Sequence, residues 1–437
     1  MKLFGAAMFR LREADFGALE HEERVSPAWP ISYHDLEPYY DMTETLFGVR
    51  GAVGLDPTDP ARSRPYRHAP IPDEPVIARL RDRLRNQGLH PFPMPASVDY
   101  GDGRKCVRCG TCDAFPCRID AKGDAEMCLL RPAMRKGGVT LMTGARVMRL
   151  LTDGRGRRIR AAEVQTNDGL VTVTGETFVL SAGAINSAAL LLGSANDKFP
   201  QGLANSSGAV GRYLMNHNCT AVIAIDPWHV NDTRFPKTLA VNDFYFGGAN
   251  DRWSLGNLQM LGKIREPMLR SALPNVPRRV LDYISRHSVD LYATSEDLPS
   301  PDSRVEVTSS GEIKLIWHRT NLKPHGRFVQ LTKRILKRAG YPIVVSRRFG
   351  DDTPSHQCGT VRFGNDPVTA PLDPMCKAYE HENLYVVDAG FFPSSAAVNP
   401  ALTVAAQALR VGAHLRANLA GTTGSQIDQR SAGGACG

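Results

Sequence analysis

Apolar positions along the chain change their period several times, and each change marks a change of element. Ser32-Tyr33-His34-Asp35-Leu36-Glu37-Pro38 reads as the cap and first turn of a helix running to about residue 47, and a second helix is expected over 76–87, stopped by Gly88. After Val139 the pattern shortens to apolar runs broken by Asp153-Gly154 and Asp168-Gly169. These are the turn pairs of a three-stranded antiparallel meander with strands over 140–152, 160–166 and 170–174. Thr177-Phe178-Val179-Leu180-Ser181-Ala182-Gly183 follows as a buried-strand run ending in small residues, with a helix over 186–194 behind it. That strand-turn-helix unit is what a parallel nucleotide-binding sheet contributes where backbone must approach a ligand closely.

From 219 to 320 the chain alternates like strands, over 220–225, 239–246, 254–261, 289–295, 304–308 and 313–318, which fits one large mixed or antiparallel sheet. A helix over 324–339 carries Phe328, Leu331 and Ile335 as a core stripe. A strand over 383–388 and a helix over 401–418 complete the ordered elements, and a tail after 421 rich in Gly and Ser is expected to be disordered.

Length changes the picture first: 437 residues exceed one ordinary core and suggest two intertwined domains, with room to bury a large ligand. Hydrophobic content of 42% and charged content of 22% are ordinary for a globular protein. No run reaches the roughly 18 apolar residues of a membrane helix. The start, Met1-Lys2-Leu3, opens onto no signal-peptide core, so as written the chain reads as cytoplasmic. The net charge is +8, but the Lys and Arg residues are scattered, which speaks against nucleic acid as a partner.

Four of the nine cysteines crowd into Cys106-Val107-Arg108-Cys109-Gly110-Thr111-Cys112-Asp113-Ala114-Phe115-Pro116-Cys117. The spacing is close to a bacterial ferredoxin loop, with one extra residue before the last Cys. Cys106, Cys109, Cys112 and Cys117 are therefore candidate ligands for an iron-sulfur cluster or zinc, against the alternative of fold-stabilising thiols or a disulfide.

Three carboxy-terminal segments carry the most chemistry: Ser355-His356-Gln357-Cys358-Gly359-Thr360-Val361-Arg362, Asn383-Leu384-Tyr385-Val386-Val387-Asp388-Ala389, and Ser394-Ser395-Ala396-Ala397-Val398-Asn399-Pro400-Ala401-Leu402-Thr403. An imidazole whose ordinary pKa is near 6.5 can take the hydroxyl proton of an alcohol while a hydride leaves its carbon. One histidine among twelve is more often a surface or core residue than a base, so His356 becomes the candidate base only through what its segment and those of Asp388 and Asn399 together resemble. Asn399 offers an amide for the substrate oxygen, and Pro400 opens a helix whose first amide groups face outward.

Order and spacing of these segments resemble the carboxy-terminal signature of the glucose-methanol-choline family of flavin-dependent oxidoreductases. Leu180-Ser181-Ala182-Gly183-Ala184-Ile185-Asn186-Ser187-Ala188 resembles its internal signature, with Ala188 where Pro is usual. The resemblance implies an α/β protein of mixed α+β character, with a split FAD-binding Rossmann-like domain and a substrate domain on a large, mostly antiparallel sheet. It divides the chain into a cofactor domain over 1–218, holding the cysteine loop and the meander, a substrate domain over 219–345, and a returning catalytic part over 346–420. It further implies oxidation of a small-molecule alcohol or sugar hydroxyl, with hydride transfer to the flavin N5. Electrons would pass on to a quinone, a cytochrome or dioxygen, and in some relatives through an iron-sulfur cluster. Catalysis falls to His356 and Asn399. Contacts to FAD fall to Val147, Ala182, Gly183, Asp388, Ala389, Asn399, Pro400, Leu402 and Thr403.

One part of the pattern is missing: no G-x-G-x-x-G follows a strand, although Phe4-Gly5-Ala6-Ala7 resembles what normally comes after it. The Rossmann part is thus expected to be incomplete at its amino terminus, and the chain as written, taken alone, to bind FAD weakly or not at all. The rival reading is a non-catalytic or electron-carrying iron-sulfur subunit with a residual flavin fold, in which 106–117 is the working site.

Overall fold

The computed structural model describes residues 5–113, 115–248, 251–351 and 355–431. Helices α1 (Tyr33–Leu46) and α2 (Pro75–Arg85) come first, then a short strand, β1 (Phe92–Pro93). Ser32 starts α1 as expected: its side chain accepts from the Asp35 amide, and the Asp35 carboxylate accepts in return from the Ser32 amide at 2.8 Å. The meander β2 (Arg146–Thr152), β3 (Ile159–Thr166) and β4 (Gly169–Thr174) leads into β5 (Phe178–Leu180) and α3 (Ala184–Gly193). Strands β6 (Asn218–Ile225), β7 (Leu239–Val241), β8 (Asn257–Met260) and β9 (Ser288–Ser295) precede a hairpin, β10 (Arg304–Val307) with β11 (Ile313–Ile316). Helix α4 (Leu322–Arg338), β12 (Ile343–Arg348), β13 (Leu384–Val386) and α5 (Ala401–Ser431) close the chain.

The large sheet runs β12-β6-β9-β8-β7-β1 and is antiparallel throughout. Two differences from expectation have local causes. Residues 304–307 and 313–316 pair with each other rather than joining the sheet, because Val305 is held by the loop before β6, its amide donating to Gly211 O at 2.8 Å. The strand expected over 239–246 ends at Val241, where Asn242 opens a turn closed by the Tyr245 amide.

Both faces of the inner strands β6, β9, β8 and β7 are covered, so these alternate between two buried environments rather than between core and water, while the edge strand β12 is largely exposed. Val222, Ala224, Leu258, Met260, Val289, Leu291 and Ala293 pack with Phe328, Val329, Ile335 and Leu336 of α4 in one apolar core. The opposite parity puts Cys219, Asn257, Gln259, Tyr292 and Thr294 on the other face. That face is polar and buried, and the site is built above it.

A second core joins the amino-terminal segment, α1, the meander, α3 and residues 358–411. Inside it β13 lies parallel to β5, Tyr385 opposite Val179. Helix α5 runs to Ser431, past the expected end at 418 and through the expected structureless stretch after 421, since its isolated glycines cost about 1 kcal/mol each without breaking the ladder. The final six residues of the expected tail lie outside the described residues. No helix among the described residues is long and apolar enough to cross a membrane.

Candidate active site

Residues distant in the chain meet above the polar face of the sheet. His356 has φ +65°, a left-handed backbone that a non-glycine residue adopts only where its surroundings over-determine it. The surroundings are visible. Ser355 Oγ lies 2.7 Å from Tyr292 Oη, Cys358 pairs with Met215 through both backbone bonds, and the Gly359 amide donates to Ala389 O at 3.1 Å. The half-buried imidazole is clamped at both nitrogens. Nδ1 lies 2.8 Å from His217 Nδ1, and Nε2 lies 3.3 Å from Asn399 Nδ2. The far nitrogen of His217 lies 3.0 Å from the Ser395 carbonyl, and Gln259 donates to Asn399 Oδ1 at 2.8 Å.

Burial holds the His356 imidazole well below its ordinary pKa, and the neighbouring His217 and Lys237 push the same way. His217 is lowered too, again chiefly by burial. Both rings are therefore neutral at neutral pH, and a neutral imidazole keeps one nitrogen as a bare acceptor.

The expected FAD residues divide into three groups. Gly183 (φ +89°) sits between β5 and α3 with nothing within 4 Å of where a side chain would project, and Ser181 and Ala182 beside it are exposed. This is an open backbone ledge of the kind a planar cofactor can approach, so these residues fit the group. Val147 is likewise exposed on β2. Pro400 and Ala401 open α5, whose first amides have no partner within the helix.

Three of the residues expected to touch FAD have side chains that are buried or already bonded, so only their backbone is open to it. Asp388 is buried with both carboxylate oxygens occupied: one accepts from the Gly183 amide at 3.0 Å and from Ser187 Oγ at 2.5 Å, the other from the Gly390 amide at 2.8 Å. Its side chain ties β13 to the Gly183 ledge, and burial raises its pKa despite those bonds. Leu402 and Thr403 are fully buried, Thr403 Oγ1 lying 2.8 Å from Tyr40 Oη, so both turn into the core and offer only backbone outward. Ala389 lies at the junction, joining the ledge side to the His356 segment through its carbonyl.

The cysteine loop differs from its candidate role. Among the described residues no three His, Cys, Asp or Glu side chains converge as metal ligands. Cys106 and Cys112 pack against Ala6, Ile71, Val98, Tyr100 and Phe235, which raises both thiols, that of Cys112 to about 12. Cys117 Sγ accepts from the Ala121 amide, and Cys109 is exposed beside Thr111 Oγ1. The loop is pinned by Asp113, which pairs with Lys237 at 2.6 Å, and by Lys122, which donates to the Cys112 and Phe115 carbonyls. Cys106 and Cys112 are thus packing groups, whereas the exposed Cys109 thiol, though partly desolvated, is lowered by hydrogen bonds from Thr111.

Sequence reasoning missed His217 and Gln259. His217 lies in an irregular stretch with no pattern around it. Gln259 reads as one polar position of an alternating strand, and only the pairing of β8 with β9 shows that its face is buried.

Residues 83–219 match the amino-terminal model of GMC oxidoreductases and residues 299–408 the carboxy-terminal one, together more than half of the chain. The chain is similar to a paromamine 6'-oxidase of Streptomyces fradiae, 29% identical over 93% of this chain and 76% of that one. It is also similar to a 2-methyl-1,2-propanediol dehydrogenase of Mycolicibacterium austroafricanum, 27% identical over 93% and 78%. Among solved structures, a pyridoxine 4-oxidase from Mesorbium loti superposes with a TM-score of 0.63 at 17% identity, covering 94% of this chain and 82% of that one.

Proposed function

Because the chain belongs to the GMC oxidoreductase family, we propose that it oxidises a small-molecule alcohol or sugar hydroxyl at His356 and Asn399, with FAD as its cofactor. The observation that carries the reading is the 3.3 Å approach of Asn399 Nδ2 to His356 Nε2, a donor and an acceptor able to share one hydroxyl oxygen. Two relatives, by name a paromamine 6'-oxidase and a 2-methyl-1,2-propanediol dehydrogenase, support the substrate class.

In this reading the substrate oxygen accepts from Asn399 Nδ2 while its proton passes to His356 Nε2, leaving the carbinol carbon to release a hydride and become a carbonyl. Bound FAD supplies the acceptor for that hydride. The Gly183 ledge, Ala182, Val147, Ala389 and the first amides of α5 would hold it, and Asp388 holds the ledge. With its pKa lowered by burial, His356 is neutral across the physiological range and so has a bare nitrogen to take the proton.

Dye-linked turnover of a panel of primary alcohols, diols and aminosugars tests this. Loss of a general base lowers kcat by about 10²–10⁴-fold, so His356→Ala is expected to fall in that range with its fold intact. Turnover unaffected by the substitution would refute the assignment.

A further inference from the structure

We propose that His356 and Asn399 are oriented before any substrate arrives, from two distant anchors that can only accept hydrogen bonds: the Asp56 carboxylate and the Ser395 carbonyl. The proposal rests on the catalytic reading of that pair.

From the first anchor runs a chain of buried amides. Asp56 is held by Arg12 Nη2 at 2.7 Å and by the amide and hydroxyl of Thr58 at 2.9 and 2.8 Å. Asn242 Nδ2 donates to it at 2.8 Å, Asn257 Nδ2 donates to Asn242 Oδ1 at 2.7 Å, and Gln259 Nε2 donates to Asn257 Oδ1 at 2.7 Å. The second hydrogen of that nitrogen goes to Asn399 Oδ1. A carboxylate cannot donate, so Asn242 must present its nitrogen to Asp56. Its oxygen then faces Asn257, and the same logic passes along each amide until Asn399 is left with its NH2 group aimed at His356. Asn242 and Asn257 are fully buried and Gln259 nearly so. Reversing any one of them would set oxygen against oxygen and nitrogen against nitrogen without water to compensate.

From the second anchor the imidazoles are fixed. The Ser395 carbonyl accepts only, so His217 Nε2 carries the hydrogen and, with the ring neutral, Nδ1 is bare. The hydrogen between the two Nδ1 atoms therefore belongs to His356, and His356 Nε2 is the bare nitrogen. The two derivations are independent and agree at the one place where they meet: a donor on Asn399 opposite an acceptor on His356. A hydroxyl satisfies both with a single oxygen. An ether or carbonyl oxygen can accept from Asn399 but leaves Nε2 without a donor, so the arrangement selects alcohols over their oxidised or alkylated counterparts. Asp56, Asn242, Asn257, Gln259 and His217 are thereby positioning residues for the pair.

Imidazole and carboxamide nitrogen NMR on the full chain tests this without turnover. Signals are assigned by their loss in His356→Ala, His217→Ala and Asn399→Ser. The unsubstituted protein is expected to show a pyridine-like Nε2 and pyrrole-like Nδ1 for His356, the reverse for His217, and slowly exchanging carboxamide protons for Asn399. Gln259→Met is expected to leave both tautomers in place, since Ser395 sets them, but to speed Asn399 exchange about fivefold through loss of one hydrogen bond. Asp56→Asn, which lets position 56 donate, is expected to do the same through three intervening side chains, an effect local packing would not transmit. Unchanged His325 and His381 ring signals confirm folding, and Gln259→Met stands alone should Asp56→Asn not fold. Protonation of His356 at Nε2, or Asn399 exchange unchanged in the folded variants, overturns the proposal. Because the readout needs no catalysis, its failure is distinct from retained turnover in His356→Ala.

Discussion

Arg10 has no access to solvent, yet all of its nitrogens are satisfied. Nε and Nη2 bind the two oxygens of Glu44 at 2.9 and 2.8 Å, and Nη1 binds Tyr33 Oη at 2.8 Å and Glu37 Oε1 at 3.2 Å. Arg62 holds the other side of Glu44 at 2.9 Å. A buried pair of this kind adds little net stability over an apolar substitute, but removing one partner strands the other charge, at about 3–5 kcal/mol. Arg10→Met is expected to lower the unfolding free energy by that amount in urea titrations, and Arg10→Met with Glu44→Gln to recover part of it. A single variant no less stable than the parent would mean that Arg62 alone neutralises Glu44. The stakes at this residue reach the site, because Arg12, two residues on, donates to the Arg10 carbonyl and holds Asp56.

At the scale of elements, α4 is fastened to the sheet by one polar bridge within an otherwise apolar contact. His325 Nε2 lies 2.8 Å from Thr220 Oγ1 on β6, and its Nδ1 lies 2.9 Å from Ser295 Oγ on β9. Ser295 spends its hydrogen on the Leu255 carbonyl, so it accepts from His325 Nδ1, and Thr220 donates to the bare Nε2. The bridge requires a neutral ring, and burial lowers its pKa to about 4. The unfolded chain takes up a proton near pH 6.5 while the folded one refuses it until about 4, so stability is expected to fall as pH drops through that window, by about 3 kcal/mol. Asp15 and Asp297, raised by burial to about 7 and about 6, have the opposite sign and gain stability over the same descent. The difference between the parent and His325→Gln isolates the histidine. A difference independent of pH would show that folding leaves the ring's pKa at its unfolded value.

The α4 stripe, the meander and β9 were legible because each is a local period with a local stop. The detachment of residues 304–316 from the sheet was not, since pairing partners across the chain leave no trace in either strand. The same distinction runs through the site. His356 and Asn399 were legible from segments whose order is distinctive. The burial of Gln259, the occupied oxygens of Asp388 and the inward turn of Thr403 depend on which face meets which, and that is decided only when the sheet and the two cores assemble.

For the whole molecule, the two cores differ in how completely they are covered. The sheet-and-α4 core encloses β9 entirely. The other core ends at a surface where Val147, Leu170, Val171, Val173 and Val179 are exposed and Gly183 faces open space. A ligand that binds only the folded state stabilises it by mass action, about 2.7 kcal/mol at a hundredfold excess over its Kd. If FAD occupies the ledge, its effect must be uneven. Amide exchange is expected to slow at 184–186 and 401–403, the first amides of α3 and α5, which have no partner within their helices, and to stay unchanged at 288–295, which is covered on both faces already. The melting temperature should rise with FAD concentration over the same range in which exchange slows. Protection confined to other segments, or a rise in melting temperature without protection at the ledge, would move the cofactor away from Gly183. With it would go the reading of Asp388 as the residue that holds that ledge.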